Sequence, residues 1–328
     1  MTPRCVACGR KRLEQLAGPA LAWRYDWCRS CGHASLSPRP TESELQQYYN
    51  DAYAVHMQSY LASAEPQARA VARMLGDTSP GRMLEIGCSY GAVLSQFRSR
   101  GWQVEGVEID ERAASWARDR HGLDVHPGAL ADVRDRLHPP YDVVACYHVI
   151  EHIIDPHAFL REVRELLPPD GILVLRTPNA SSAIARLTKG WWEWCVVPEH
   201  VHLFSLRSLT LVLEQSGFTP GRTITRRGGA AGTLSELLRA AVRWSIPGAA
   251  RRGVDPFPDS GAAEIGAGRP LRLASLRRVL DALGSPLDAA VAGAGRMGFP
   301  GGPEIMLVAR RGEAGTVIAT RSRCGVPM

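Results

Sequence analysis

The sequence predicts an α/β fold: helices packed around a parallel sheet, with a small cysteine-rich module ahead of it and a helical insertion near its end. Three observations carry that expectation. From residue 82, short apolar runs alternate with amphipathic stretches, the pattern of successive strand–helix units. The first run closes on the turn Glu85-Ile86-Gly87-Cys88-Ser89-Tyr90-Gly91, and a second ends at Glu108, about twenty residues on. Ahead of both stand two Cys-x2-Cys pairs, Cys5 with Cys8 and Cys28 with Cys31.

The cysteine pairs come first in the chain. Four thiolates at this spacing can surround one zinc ion tetrahedrally, in a closed site that keeps no position for water or substrate. Two disulfides or four buried thiols are the alternatives. A segment of about forty residues buries too little apolar surface to fold alone, so a structural zinc would supply the missing stabilisation. Cys88, Cys146, Cys195 and Cys324 have no such spacing and read as packing residues.

Strands are expected over 83–86, 104–109, 123–126, 141–147 and 171–176, with helices over 92–99, 111–120, 156–167 and 206–216. The organisation that follows is a zinc-binding module over 1–40, a helical connector over 41–80 and a sheet core over 81–227. An insertion spans 228–300, the last core strand lies within 301–312, and a tail covers 313–328. The insertion holds helical stretches at 233–246 and 272–283 around a Gly/Pro/Ala-rich linker at 248–270. Those helices would form a lid or a homodimer contact; the sequence does not choose.

The composition, 45% hydrophobic and 22% charged, is that of a globular protein. No apolar run approaches the length of a membrane helix. Cys5, Cys8, Arg10, Lys11 and Arg12 stand where a leader peptide would need its apolar core, so the expected compartment is the cytoplasm, which disfavours disulfides. The net charge of +6 is scattered rather than gathered into a stripe, which argues against a nucleic-acid partner.

In the glycine turn, Gly87 lets the backbone approach a nucleoside closely, and the neighbouring acid can hold a polar cofactor group. A dinucleotide fingerprint is not met, because its second and third glycine positions are Ser89 and Ala92. Glu108 can accept both ribose hydroxyls, with Asp110 the second choice.

With these residues, MLEIGCSYG at 83–91, GVEID at 106–110, YDVVACYHVIEHIIDP at 141–156 and GILVLRTPN at 171–179, the chain resembles the class I methyltransferases that use S-adenosylmethionine (SAM). The resemblance implies a Rossmann-like α/β sheet. It implies SAM contacts at Glu85, Gly87, Ser89, Gly91 and Glu108, with Ile109 beside them. It places Ala129 and Leu130 along the adenine and Tyr147 at the neighbouring strand end.

Methyl transfer to oxygen or carbon usually needs a base to take the acceptor's proton. The candidates are His148 and His152 after the fourth strand and Glu199 with His200 further on, with Glu151 and His202 expected as substrate contacts beside them. The alternative for Glu151 and His152 is that they only steady the following helix. For His202 it is a buried hydrogen-bonding role. The Glu-His pattern, the cysteine module and Tyr48, Tyr49 and Tyr53 together resemble the sugar C-methyltransferases of deoxysugar biosynthesis. That resemblance implies Tyr49, Tyr53, His152, Glu199 and His200 around a nucleotide-linked ketosugar. It departs where the family's Tyr-His is Val197-Pro198 and in a C-terminal nucleotide-binding domain that this chain is not expected to carry. The expected function is thus methylation of a small-molecule acceptor, a sugar or natural-product intermediate. An RNA or protein methyltransferase, or a non-catalytic SAM-binding scaffold, is the alternative.

Overall fold

A computed structural model describes residues 3–11, 13–16, 23–51, 57–226 and 302–312. Tyr53, the expected insertion over 228–300 and the tail over 313–328 lie outside the described residues.

The cysteine module contributes β1 (Leu13–Gln15), β2 (Arg24–Cys28) and β3 (Ala34–Ser37). Two helices follow, α1 (Glu42–Asp51) and α2 (Met57–Leu75). The core follows as β4 (Arg82–Ile86), α3 (Ala92–Arg98), β5 (Gln103–Glu108), α4 (Glu111–His121), β6 (Asp124–Pro127), the single turn α5 (Leu130–Val133) and β7 (Val143–Tyr147). It continues through α6 (Pro156–Leu166), β8 (Ile172–Pro178), α7 (Ala183–Thr188), β9 (His202–Leu203), α8 (Leu206–Gln215), β10 (Phe218–Arg226) and β11 (Glu304–Arg311).

Local chemistry sets the helix starts. The Asp155 carboxylate accepts from the backbone of His157 and Ala158, with Pro156 opening α6. Ser205 and Ser208 form a reciprocal capping box on α8. Asp110 caps α4 through the Arg112 amide, so the second-choice ribose acid already has a structural task.

The main sheet runs β10-β11-β8-β7-β4-β5-β6, parallel from β8 to β6, with β11 antiparallel between β8 and β10. The chain enters at β4, winds outward to β6, then returns to β7 on β4's other side. The carboxyl ends of β4 and β7 therefore flank the switch point, where open α/β sheets bind ligands. Successive residues of β7 face two different apolar layers. Val144 and Cys146 pack with α6 and α8, while Val143, Ala145 and Tyr147 pack with α2 and α3. Cover on both faces explains why this strand reads as an unbroken apolar run.

A second sheet, β1-β2-β3-β9, corrects the expected separation of a module over 1–40. Its fourth strand comes from the core: Ala34 pairs with Leu203 and Ser35 with His202. Cys5, Ala7, Cys28 and Cys31 share one apolar cluster with Leu209 and Val212 of α8. The Gln215 amide donates to the Ala7 carbonyl, and the Ser205 hydroxyl to the Cys31 carbonyl. Among the described residues no helix is long and apolar enough to cross a membrane.

Candidate active site

The turn after β4 is shaped for close approach. Gly87 and Gly91 have φ of 73° and 67°. A Cβ on Gly87 would meet Val149 at 2.5 Å, and one on Gly91 would meet Leu123 at 2.5 Å. Side chains at these positions would fill the turn. Ser89 also lies in the left-handed region, at φ 48°. Its amide donates to Glu108 Oε2 at 2.7 Å, and the Asp110 amide donates to Glu108 Oε1 at 2.9 Å.

Three buried polar atoms around this turn have no partner within the protein: Glu85 Oε2, Ser89 Oγ and the Tyr147 hydroxyl. Burial, then the neighbouring Glu108, raises the Glu85 pKa; burial also raises that of Glu108, against the two amides that donate to it. A ligand carrying a cationic amino group and ribose hydroxyls would satisfy both carboxylates, so these residues fit SAM. Ile109 lies at the end of β5, partly exposed, and Ala129 and Leu130 begin α5 just beyond β6. The expected cofactor residues therefore line one edge of the sheet.

The second half of the site follows β7. His148 has φ 55°. Its Nδ1 lies 3.1 Å from Glu151 Oε1 and its Nε2 3.1 Å from Glu304 Oε1. Arg176 donates to both Glu304 oxygens, at 2.8 and 2.6 Å, and the Thr177 hydroxyl donates to Glu151 Oε2 at 2.9 Å. Because Asp155 caps α6, Glu151 and His152 are not the steadying residues of that helix.

His152 Nδ1 lies 3.6 Å from Glu199 Oε1, and the Tyr48 hydroxyl donates to Glu199 Oε2 at 2.9 Å. Tyr49 sits at 6.5 Å from the His152 ring, centroid to centroid. His200 packs edge-on against His152 at 4.8 Å, and its Nδ1 is 2.7 Å from the Trp194 carbonyl oxygen. The Trp194 indole stacks on His148 at 5.1 Å and on His200 at 5.8 Å, both within 11° of parallel.

The histidines are held in different states. Burial pulls the His148 pKa down, but its bonds to Glu151 and Glu304 outweigh burial and hold it at about 9. Burial, then the charge on His152, lowers His200 to about 4. Burial would raise Glu151 and Glu304, yet His148, with Arg176 beside Glu304, brings both to about 2.

A stability profile follows. His148 is raised above its ordinary 6.5, so its contribution is complete below 6.5 and is lost as pH rises through about 9. Glu151 and Glu304 are depressed below 4.5, so theirs is complete above 4.5 and is lost as pH falls toward about 2. Thermal melts across pH should show a steeper alkaline decline in the wild type than in Glu304→Gln. Equal alkaline slopes would contradict the pairing.

His202 departs from the expected substrate contacts. It is fully buried in β9, with Nε2 3.3 Å from the Ile154 carbonyl oxygen and Nδ1 3.2 Å from His33 Nε2. It joins the small sheet to the segment after β7. Glu304 of β11 and Arg176 of β8 were not among the expected site residues; Tyr48 reaches the site from α1 and Trp194 from the loop ahead of β9.

At the other end of the small sheet, the four cysteine sulfurs lie within 4.8 Å of one another. Cys5 and Cys31 are 3.5 Å apart, and Cys8 and Cys28 are 3.6 Å apart, beyond disulfide length. Tetrahedral thiolates at about 2.3 Å from zinc stand about 3.8 Å from each other, so the set fits zinc. Each pair is followed by a glycine at positive φ, Gly9 at 69° and Gly32 at 73°, whose amides return to Cys5 and Cys28.

A family model described as a methyltransferase domain matches residues 53–220. The ubiquinone biosynthesis O-methyltransferase of Maricaulis maris (strain MCS10) is 32% identical over 130 residues, 38% of this chain and 51% of that protein. The protein of the same name from Bradyrhizobium sp. (strain ORS 278) is 30% identical over 165 residues, 44% of this chain and 64% of the relative. The chain thus spans about half to two thirds of the length of these relatives. They are O-methyltransferases, not the sugar C-methyltransferases that the sequence resembles. Phosphoethanolamine N-methyltransferase 2 of Haemonchus contortus, solved with SAM, superposes with a TM-score of 0.52 at 16% identity. That superposition covers 85% of this chain and 63% of the other, a likeness of fold alone.

Proposed function

The chain belongs to this methyltransferase-domain family and has its SAM-dependent class I fold, and from that premise we propose that it transfers a methyl group from SAM to a hydroxyl oxygen of a small-molecule acceptor. The observation that carries the reading is the contact between the two half-sites. Gly87 of the cofactor turn approaches Val149 so closely that a Cβ would not fit, and Val149 lies between His148 and His152. A cofactor in that turn would border the histidine cluster.

Bound SAM supplies an electrophilic methyl group. Glu85 would take its amino group, Glu108 its ribose hydroxyls, and the buried Ser89 and Tyr147 hydroxyls further polar contacts. On the acceptor side Glu199, held by Tyr48, lies 3.6 Å from His152 Nδ1, and His152 is the residue assigned the base's role. His200, with Nδ1 facing a carbonyl and a lowered pKa, is neutral and offers a second acceptor nitrogen. Tyr49 and the Trp194 indole would wall the acceptor from water.

The relatives' names favour oxygen as the methylated atom, and hydroxylated aromatics as the first acceptors to try. A nucleotide-linked sugar stays in the panel because Tyr49, His152, Glu199 and His200 do converge. The cysteine set is assigned a structural zinc.

The test is formation of S-adenosylhomocysteine and labelled-methyl transfer across hydroxylated aromatics and nucleotide sugars. His152→Ala should lower kcat by roughly a hundredfold or more, with SAM affinity unchanged. Glu199→Gln and His200→Ala should act in the same direction. Wild-type turnover in all three variants would remove the cluster from the chemistry.

A further inference from the structure

His148 precedes Val149, the residue that meets Gly87 of the cofactor turn, and its surroundings suit a base poorly. A neutral imidazole has one N–H donor and one lone pair. Here both ring nitrogens lie 3.1 Å from carboxylate oxygens, Glu151 on one side and Glu304 on the other. With a single proton, one nitrogen would set its lone pair against a carboxylate. With two protons, both bonds form.

We propose that His148 is a strut protonated at neutral pH rather than the base, and that Glu304 and Arg176 are the positioning residues that keep it so. This rests on the methyltransferase reading for its catalytic consequence, but not for its chemistry.

The strut is braced on every side. Arg176 on β8 holds both Glu304 oxygens from the neighbouring strand and reaches Gln67 of α2 with its other nitrogen at 3.0 Å. Glu304 and Glu151 are almost fully buried, and His148, Arg176 and the two carboxylates sum to zero charge. The left-handed backbone at His148 is costly for a residue with a side chain, and the two carboxylate bonds hold it. The imidazolium face lies flat on Trp194, a favourable cation–π stack, and Trp194 in turn lies flat on His200.

The consequence is a division of labour among the histidines. His148 orients Trp194, and Trp194 orients His200 through both its ring and its carbonyl. His152, beside Glu199 and packed on His200, is left as the base of the proposed reaction. Deprotonating His148 would loosen the stack without removing the base, so activity should fall at alkaline pH for a structural reason.

Histidine-selective NMR of the wild-type protein tests this. One imidazole, assigned by its loss in His148→Gln, should keep both ring protons beyond pH 8. Titration of that resonance near the ordinary 6.5 would overturn the proposal. Glu304→Gln should move its midpoint down by at least about one unit and shift the alkaline limb of kcat by the same amount. KM for SAM should stay within about twofold. Glu304→Asp should recover part of the shift; a midpoint and limb unchanged in Glu304→Gln would also overturn it. Calorimetry with SAM on the wild type separates the two readings. No SAM binding with a protonated His148 removes the enzyme and leaves the strut. SAM binding with an ordinary His148 does the reverse.

Discussion

Calorimetric titration of Glu108→Ala with SAM should give at least about a hundredfold weaker binding than the wild type. Glu108 is the one acid at this edge whose two oxygens are both held by backbone amides, those of Ser89 and Asp110. Those bonds fix the carboxylate in place and leave its outer lone pairs for two ribose hydroxyls. Hydrogen bonds to a charged group contribute about 1.5–3 kcal/mol each, so losing two exceeds the hundredfold mark. Removal also frees the Ser89 amide within the cofactor turn. Glu108→Gln should recover little, because its amide nitrogen would face one of the two N–H donors. Circular dichroism on the variants checks the fold. Affinity within about threefold of wild type would sink the assignment of the ribose site.

Stripping zinc, or replacing Cys28 with Ser, is expected to unfold the module and with it to abolish turnover. Structural zinc contributes about 10–16 kcal/mol in small zinc-binding peptides, comparable with the whole stability of a domain. Two links carry the module to the site. β3 pairs with β9, and the Tyr25 hydroxyl of β2 donates to the His200 carbonyl at 2.6 Å. SAM binding should survive better than turnover, because the cofactor turn belongs to the main sheet. Metal content by elemental analysis, thermal melts and proteolysis near residues 10–40 supply the measurements. A zinc-free protein with an unchanged melt and full turnover would refute the structural role.

The cofactor half was legible because its determinants are local. Glu85, Gly87 and Gly91 lie within one turn, and Glu108 ends the next strand. Strand ends differed by one or two residues from expectation, as at β6 and β8, where the ladder continues past the apolar run. The clustering of the four cysteines was equally legible from spacing, and the glycine after each pair, Gly9 and Gly32, is a further local signal of the tight turn there that spacing alone did not use. The weaker elements were not anticipated. β1, β2, β3 and β9 have two to five residues each, too short for alternation to register, and β9 finds its partner about half the chain away.

By itself the sequence determined the α/β core, its cofactor edge and the four-cysteine set, because period, turn chemistry and spacing are properties of neighbouring residues. It also marked His148, His152, Glu199 and His200, without distinguishing them. Only the tertiary structure decided their surroundings. It buried His202 in a strand, bound His148 on both nitrogens using Glu304 from the last strand, and placed Glu199 on His152 with Tyr48 behind it. A histidine's protonation depends on which charges stand within a few ångströms of its two nitrogens. Those charges come from strands and helices far apart in the chain.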